Sequence, residues 1–155
     1  MHGVNATQAR EFLRFVVGDA CYGIDLQKVQ ELHEGDRVAR HGVSGDTPSV
    51  PTLGGVWVPV RDLRARLGVA GEPADAAMAV VVLRLAQRVI GVLVDDVLGI
   101  ATLAPSQIQP PPRLGFVQEA MDHVIGLGMV DGQQLILLDP EALAARDVTP
   151  MSPAR

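Results

Sequence analysis

Residues 12–32 read FLRFVVGDACYGIDLQKVQEL, and this stretch predicts two strands, a tight turn and a short helix in close succession. The run from Phe12 to Val17 is apolar apart from Arg14, and Gly18-Asp19 supplies residues that tight turns prefer. Cys21 to Ile24 then returns as a second strand, so the two strands are predicted to form a hairpin.

The segment after this hairpin is predicted to be helical. Asp25 stands where an N-cap carboxylate would accept the free amide protons of the first helical turn. Leu26, Val29 and Leu32 follow at helical spacing, which would place all three on one face. Such an apolar stripe either covers the core of the domain or forms a docking face.

The same segment resembles the opening signature of the CheW family, whose members are adaptors that couple bacterial chemoreceptors to the histidine kinase CheA. Tyr22-Gly23-Ile24-Asp25, followed by Lys28-Val29-Gln30-Glu31-Leu32, carries this resemblance. Further similar segments are Val58-Pro59-Val60 with Asp62-Leu63-Arg64, Gln87 to Asp95, Gly126-Leu127-Gly128, Leu135-Ile136-Leu137 and Glu141 to Leu143. The resemblance extends from about Glu11 to Leu143, and it is the order and spacing of the segments that make it specific.

The rest of the chain predicts many short strands separated by turns, with few helices. The predicted strands are Asp36–Arg40, Val56–Val60, Met78–Leu83, Val89–Val94, Val97–Leu103, Val124–Val130 and Gln133–Leu138. Asp131-Gly132 is a strong two-residue hairpin signal. Asp62–Leu67 is a predicted short helix, and Asp139 is the predicted N-cap of a terminal helix that starts at Pro140. This pattern favours barrels over a doubly wound sheet.

The resemblance implies a more specific fold. It is mainly β, with two SH3-like five-stranded β-barrel subdomains packed around a shared hydrophobic core, and with short helices. We expect residues 11–146 to form a single CheW-like domain of two interleaved barrel subdomains. Residues 1–10 and 147–155 are expected to be flexible tails.

Composition and charge exclude several classes of function. The chain has 155 residues, of which 48% are hydrophobic, and a formal net charge of −5, so it lacks the basic footprint of a nucleic-acid-binding protein. No basic run would attract it to an anionic membrane, and no apolar stretch reaches the length of a membrane-spanning helix. The single cysteine, Cys21, suits a reducing compartment. We therefore expect a cytoplasmic protein with no nucleic-acid partner and no direct membrane insertion.

No residue pattern predicts catalysis or a metal site. The histidines are His2, His33, His41 and His123, and none stands in a metal-binding spacing. Cys21 lies within an apolar strand and is interpreted as a core residue rather than a nucleophile. Asp95-Asp96 is interpreted as a charged strand end entering a turn, because neighbouring side chains on a strand point to opposite faces. We expect no enzyme activity, no metal and no cofactor.

The resemblance also implies two docking surfaces. The tip of a receptor's helical hairpin would lie in a groove between the barrels, with Val29 on one wall and Val97 and Leu98 on the other. The expected receptor-binding residues are Val29, Leu32, Gly54, Val97 and Leu98. The regulatory domain of a CheA-type kinase would bind the region from Glu31 to Arg40. The expected kinase-binding residues are Glu31, His33, Val38 and Arg40. A solvated polar loop is the alternative for this region.

Leu53-Gly54-Gly55 departs from the family pattern. Typical members have N-L-R-G here, so Gly54 replaces an arginine that could bind carboxylates or carbonyls. Trp57 follows closely and is either a new surface contact or, as we favour, a core residue. The predicted function is a non-enzymatic adaptor between methyl-accepting chemoreceptor tips and a CheA-type kinase. The alternatives are an accessory scaffold for a pilus, surface-sensing or array-positioning pathway, and a small β-barrel ligand-binding domain.

Overall fold

The computed structural model describes residues 8–41, 47–68, 78–111 and 123–145 of the chain. Strands are its main elements. They are β1 (Arg10–Val17), β2 (Ala20–Asp25), β3 (Val29–Glu34), β4 (Ala39–His41), β5 (Thr47–Pro51), β6 (Trp57–Asp62), β7 (Ala79–Arg84), β8 (Val89–Val94), β9 (Asp96–Leu103), β10 (Val124–Val130) and β11 (Gln133–Leu138). Short α-helices cover Leu63–Arg66 and Pro140–Ala145, and 3₁₀ turns cover Leu26–Lys28, Gly35–Arg37 and Pro105–Gln107.

The strands form two sheets that divide the chain unevenly. A five-stranded sheet has the order β10-β11-β2-β1-β9, so it combines strands from both ends of the chain. Beyond β9, Gln109 exchanges two 2.8 Å backbone hydrogen bonds with Leu127 of β10, which closes this sheet into a barrel. The second sheet has the order β3-β7-β8-β6-β5-β4 and is made from the middle of the chain.

The mainly β fold with two subdomains and short helices is confirmed. One detail differs, because the second sheet contains six strands rather than five. The additional strand is β4, a segment of three residues (Ala39–His41) that pairs with β5 at the edge of the sheet. The tails expected at residues 1–10 and 147–155 lie mostly outside the described residues, and β1 already begins at Arg10.

Three clusters of buried apolar side chains hold the two sheets together. The interior of the first barrel contains Phe12, Cys21, Ala101, Leu103, Leu135 and Leu137. The interior of the second contains Val50, Val58, Val60, Val80 and Val82. A third cluster, here called the shared core, joins Leu13, Phe15 and Ile24 of the first barrel to Val81, Leu83 and Val92 of the second. Because each fully buried side chain of this type contributes about 1.5–3 kcal/mol, the shared core fixes the two barrels against each other.

Alternation along β1 explains how one strand serves two cores. Phe12 points into the first barrel, whereas Leu13 and Phe15 point into the shared core. Successive side chains on a strand face opposite sides, so a run that is apolar on both faces must be covered on both. The presence of apolar residues on both faces of β1 therefore allows this strand to pack in both barrels.

The prediction of a helix from Leu26 to Leu32 was wrong. The N-cap itself is confirmed, since the Asp25 carboxylate accepts a 2.9 Å hydrogen bond from the Gln27 amide, but the capped element is only a 3₁₀ turn. Val29 begins β3, in which Leu32 pairs with Val81 of β7. Pairing with a fully buried strand outweighs a helical spacing of three apolar residues, because isolated helices of this length are unstable.

Several predictions that rest on turn chemistry are confirmed. Asp131-Gly132 joins β10 to β11 with positive φ at both residues (53° and 80°), as this hairpin turn requires. Asp62 caps the Leu63–Arg66 helix by accepting a 2.9 Å hydrogen bond from the Arg64 amide. Asp139 similarly caps the C-terminal helix, which begins at Pro140. No helix in the described part of the chain is long and apolar enough to cross a membrane.

Candidate protein-docking site

The junction between the barrels is exposed along one side. We use the name seam for the space between β9 of the first barrel and the segment Leu26–Glu34, which leads into the second barrel. At one end of the seam lies an open cleft of about 760 Å³. Leu26 and Gln27 line this cleft from one side, and Thr102 of β9 lines it from the other.

A second cleft marks the opposite end of the seam. It has a volume of about 350 Å³ and is lined by His33 and Glu34 at the end of β3. Asp96 and Val97, at the start of β9, line its other side. β9 therefore approaches the Leu26–Glu34 segment at both ends of the seam.

The seam brings together part of the predicted receptor-binding set. Val29 and Val97 are both partly buried and both pack against the shared core, which places them at the junction of the barrels. Leu32 and Leu98 have their side chains exposed. Of these residues only Val97 lines a cleft, and His33, predicted for the kinase surface, lines the same one.

Gly54 lies in the turn between β5 and β6, away from both clefts. The turn is held by hydrogen bonds between Thr52 and Val56, including a 2.9 Å bond from the Thr52 amide to the Val56 carbonyl. A Cβ atom added at Gly54 would have no neighbour within 4 Å, so a side chain can start from this position without a clash at Cβ. Leu53 and Val56, which flank the two glycines, are also exposed.

The interpretation of Trp57 as a core residue was wrong, since its side chain is 40% exposed. It is the first residue of β6, and Val58 next to it points into the second barrel. Alternation along the strand therefore turns Trp57 outward. Leu53, Val56 and Trp57 form an exposed apolar turn that sequence reasoning missed. The signal available for it was a Gly-Gly turn with large apolar residues on both sides.

Glu31 and His33 form a pair on β3. The Nε2 atom of His33 lies 2.7 Å from Oε1 of Glu31, and their side chains are only 8% and 11% exposed, respectively. Both carboxylate oxygens of Glu31 also accept the Leu53 amide, at 3.0 and 3.1 Å. Glu31 thus ties β3 to the exposed apolar turn, and a freely solvated loop does not describe these two residues.

The carboxylate of Glu31 has a perturbed pKa. Burial raises the pKa of Glu31, whereas hydrogen bonds from His33, the Leu53 amide and Gln30 lower it. The hydrogen bonds outweigh burial, so the pKa of Glu31 lies below its ordinary value. A depressed pKa in the folded state means that the ionised carboxylate stabilises the fold. This contribution is present above the pKa of the unfolded chain and is lost as the pH falls through the folded value.

We expect Glu31→Gln to lower the free energy of unfolding at about pH 7, and we expect this loss to shrink as the pH falls and wild-type Glu31 takes up its proton. Urea unfolding of both proteins at neutral pH and at a series of lower pH values measures this difference. Glu34→Gln, at the exposed end of the same strand, is the matched control. A loss of stability in Glu31→Gln that persisted unchanged at the lower pH values would contradict the role of the ionised carboxylate.

The other two residues predicted for the kinase surface, Val38 and Arg40, lie between β3 and β5 along the chain. Val38 is partly buried and packs against the interior of the second barrel. Arg40 belongs to β4, and its side chain lies outside the described residues. β3 and β4 are the two edge strands of the six-stranded sheet, so this region offers unpaired strand edges.

The side chain of Asp95 is only 13% exposed, contrary to its interpretation as a charged strand end. Its Oδ2 atom accepts hydrogen bonds of 2.8 Å from the Gly18 amide and 2.8 Å from Nη1 of Arg64. Arg64 belongs to the second barrel, Gly18 is in the β1–β2 turn of the first, and Asp95 connects β8 to β9. One carboxylate therefore joins both barrels beside the start of the seam. Its neighbour Asp96 is exposed.

The described residues contain no group of three or more His, Cys, Asp or Glu side chains placed to hold a metal ion. The two walls of the seam present the partly exposed apolar side chains of Val29 and Val97, and the clefts at its ends are lined mainly by polar or charged side chains.

Comparison with known proteins places this geometry in a family. Residues 11–148 match the family model of the CheW-like domain. The chemotaxis protein CheW of Klebsiella aerogenes is 39% identical over 142 residues, covering 91% of this chain and 85% of that protein. The probable chemotaxis protein CheW of Rhizobium etli is 30% identical over 148 residues, covering 86% of each.

A solved structure agrees with these sequence matches. The scaffolding protein TtCheW from Thermoanaerobacter tengcongensis matches with a TM-score of 0.70 at 21% identity, covering 84% of this chain and 88% of that one, and this likeness shows the fold. The family model spans nearly the whole of the double barrel, and the sequence relatives cover it at comparable length. This chain therefore belongs to the CheW-like family of chemotaxis adaptor and scaffold proteins.

Proposed function

We propose that the chain is a non-enzymatic adaptor that couples the cytoplasmic tip of a methyl-accepting chemoreceptor to the regulatory domain of a CheA-type histidine kinase. The single observation that carries the proposal is the seam. Two walls fixed by a shared core present the partly exposed side chains of Val29 and Val97. Family membership and the names of the relatives, chemotaxis and scaffolding proteins, support it.

On the receptor side, an amphipathic helix would lie in the seam. Val29 and Val97 would contact its apolar face, with Leu32 and Gly54 further out. Each apolar side chain buried in this way contributes about 1.5–3 kcal/mol before the cost of association is subtracted. The resulting affinity is modest for one site, and repetition of the contact in an array would strengthen it.

On the kinase side, the regulatory domain would bind the region between Glu31 and Arg40. β3 and β4 are strand edges there, and an edge can accept a further strand through backbone hydrogen bonds. His33 and Glu31 hold the edge of β3 in place, and Val38 and Arg40 flank β4. The protein would act by position: because the core fixes both surfaces on one rigid body, receptor and kinase are held at a set geometry.

The unit that performs this role is the CheW-like domain of residues 11–146, acting in the cytoplasm without cofactor or metal and without contact to nucleic acid. An accessory scaffold for a pilus, surface-sensing or array-positioning pathway is the second candidate. It is favoured by the exposed apolar turn of Leu53, Val56 and Trp57 around Gly54, where the arginine of typical members is missing. A ligand-binding barrel is disfavoured because apolar side chains fill both barrel interiors.

The proposal is tested by capture on the immobilised wild-type chain. We expect it to retain a chemoreceptor tip fragment, a CheA-type regulatory domain, and both at once, because on β3 the side chains of Val29 and Leu32 face the opposite side from those of Glu31 and His33. Surface plasmon resonance with each partner alone and then in sequence measures this. Competition between the two partners would contradict the two-surface arrangement, and failure to retain either would contradict the adaptor function.

A further inference from the structure

β9 contains a one-residue bulge that changes which of its side chains face the seam. In the pairing of β1 with β9, Arg14 lies opposite Gly99, but the next residue, Phe15, lies opposite Val97. Leu98 is therefore the extra residue without a partner on β1. Gly99 has φ of 129°, a backbone conformation that side-chain-bearing residues rarely adopt, and this glycine makes the bulge possible.

Because of the bulge, the side chains of β9 on its two sides do not alternate as they would in a regular strand. In a regular strand Val97 and Ile100 would point to opposite sides, because they are three positions apart and successive side chains alternate. Here Val97 lies opposite Phe15 and Ile100 lies opposite Leu13. Phe15 and Leu13 both belong to the shared core, and directly opposed residues of an antiparallel pair share a face. Val97 and Ile100 consequently both face the seam.

The position of Ile100 along the seam is central. Val97 lines the cleft at one end of the seam and Thr102 lines the cleft at the other, and Ile100 lies between them on β9. Its side chain is 54% exposed although its cross-strand neighbour Leu13 is buried. An apolar side chain at the rim of a buried core leaves apolar area that only a partner can cover.

We propose that Ile100 is a specificity-determining residue of the receptor-binding seam, and that it occupies the place predicted for Leu98. The inference rests on the proposed function and deepens it. Ile100 contacts the apolar face of the receptor helix on the wall opposite Val29, together with Val97. Leu98, displaced by the bulge, remains outside that contact.

Two neighbouring substitutions test the assignment. Ile100→Glu is expected to weaken binding of a fluorescently labelled chemoreceptor tip fragment at least about tenfold, since docking would bury the new carboxylate. Leu98→Glu adds the same charge two residues away at a similarly exposed position (42%) and is expected to change affinity less than about threefold. Equal effects, or a larger effect of Leu98→Glu, would overturn the assignment.

Further measurements separate the possible failures. Both positions are exposed, so the urea midpoints of the two variants should match that of the wild type. Gly99→Ala strains the bulge directly, and it is expected to lower the midpoint and weaken fragment binding together. If the wild type and Leu98→Glu bind and Ile100→Glu binds equally well, the inference fails and the adaptor function stands. If the wild type binds no receptor fragment, both fail.

Discussion

Asp95→Asn is expected to lower the free energy of unfolding by about 3–5 kcal/mol, because it removes the negative charge that is paired with the buried guanidinium of Arg64. The two side chains are 13% and 9% exposed and their ion pair spans 2.8 Å. Marginal stability of about 5–15 kcal/mol makes a loss of this size a large fraction of the total. Urea unfolding at neutral pH, followed by far-ultraviolet circular dichroism, measures it.

Asp96→Asn supplies the matched control, since the same chemical change is made at the exposed neighbouring residue. We expect it to alter the free energy of unfolding by less than about 0.5 kcal/mol. Replacing both partners of the pair, with Arg64→Met and Asp95→Leu together, should recover part of the loss, because it removes both buried charges at once. Equal effects of the two single aspartate variants would contradict the ion pair's contribution.

The location of this ion pair ties stability to function. Asp95 accepts the amide of Gly18 in the first barrel and Arg64 from the second, and β9 begins at the next residue. A change there therefore removes a contact between the two barrels beside the start of β9. The Asp62-Leu63-Arg64 motif is explained by structural roles: Asp62 caps the helix, Leu63 is fully buried and Arg64 binds Asp95.

What could be predicted from sequence depended on how local the cause was. The Asp131-Gly132 hairpin and the caps at Asp25 and Asp139 were predicted correctly, because the chemistry of two or three adjacent residues decides them. The conformation of Val29 to Leu32 was not predicted correctly, since it depends on pairing with β7, some fifty residues away. The burial of Asp95 likewise depends on Gly18 and Arg64, which are distant in sequence.

The residues of the candidate site also divide into those that the sequence could predict and those that depend on distant strand pairing. The family resemblance placed Val29 and Val97 at the junction of the barrels, and both pack against the shared core there. Ile100 could not be found in this way, because a count of alternating positions from Val97 assigns it to the opposite face. Only the register against β1 reveals the bulge. The outward position of Trp57 also depends on where β6 begins, and strand ends are poorly determined by local patterns.

Val29→Glu is expected to weaken binding of a chemoreceptor tip fragment by at least about a hundredfold, equivalent to about 2.7 kcal/mol. In the free protein Val29 is only partly buried, so the introduced carboxylate can reach water and the fold should persist. When a helix covers the seam, the carboxylate loses that water without gaining a partner, which is costly. Fluorescence anisotropy with the labelled fragment measures the change.

Two controls make this result specific to the seam. Gln134→Glu adds the same charge on the exposed part of β11, and it should leave fragment affinity unchanged. Capture of the CheA-type regulatory domain by Val29→Glu should remain, because that surface lies towards β4, and its retention would show that the double barrel is intact. Loss of both partners together would indicate unfolding rather than a blocked groove. Undiminished receptor binding by a folded Val29→Glu protein would place the docking helix elsewhere, and the seam would then be only the line along which two barrels share a core.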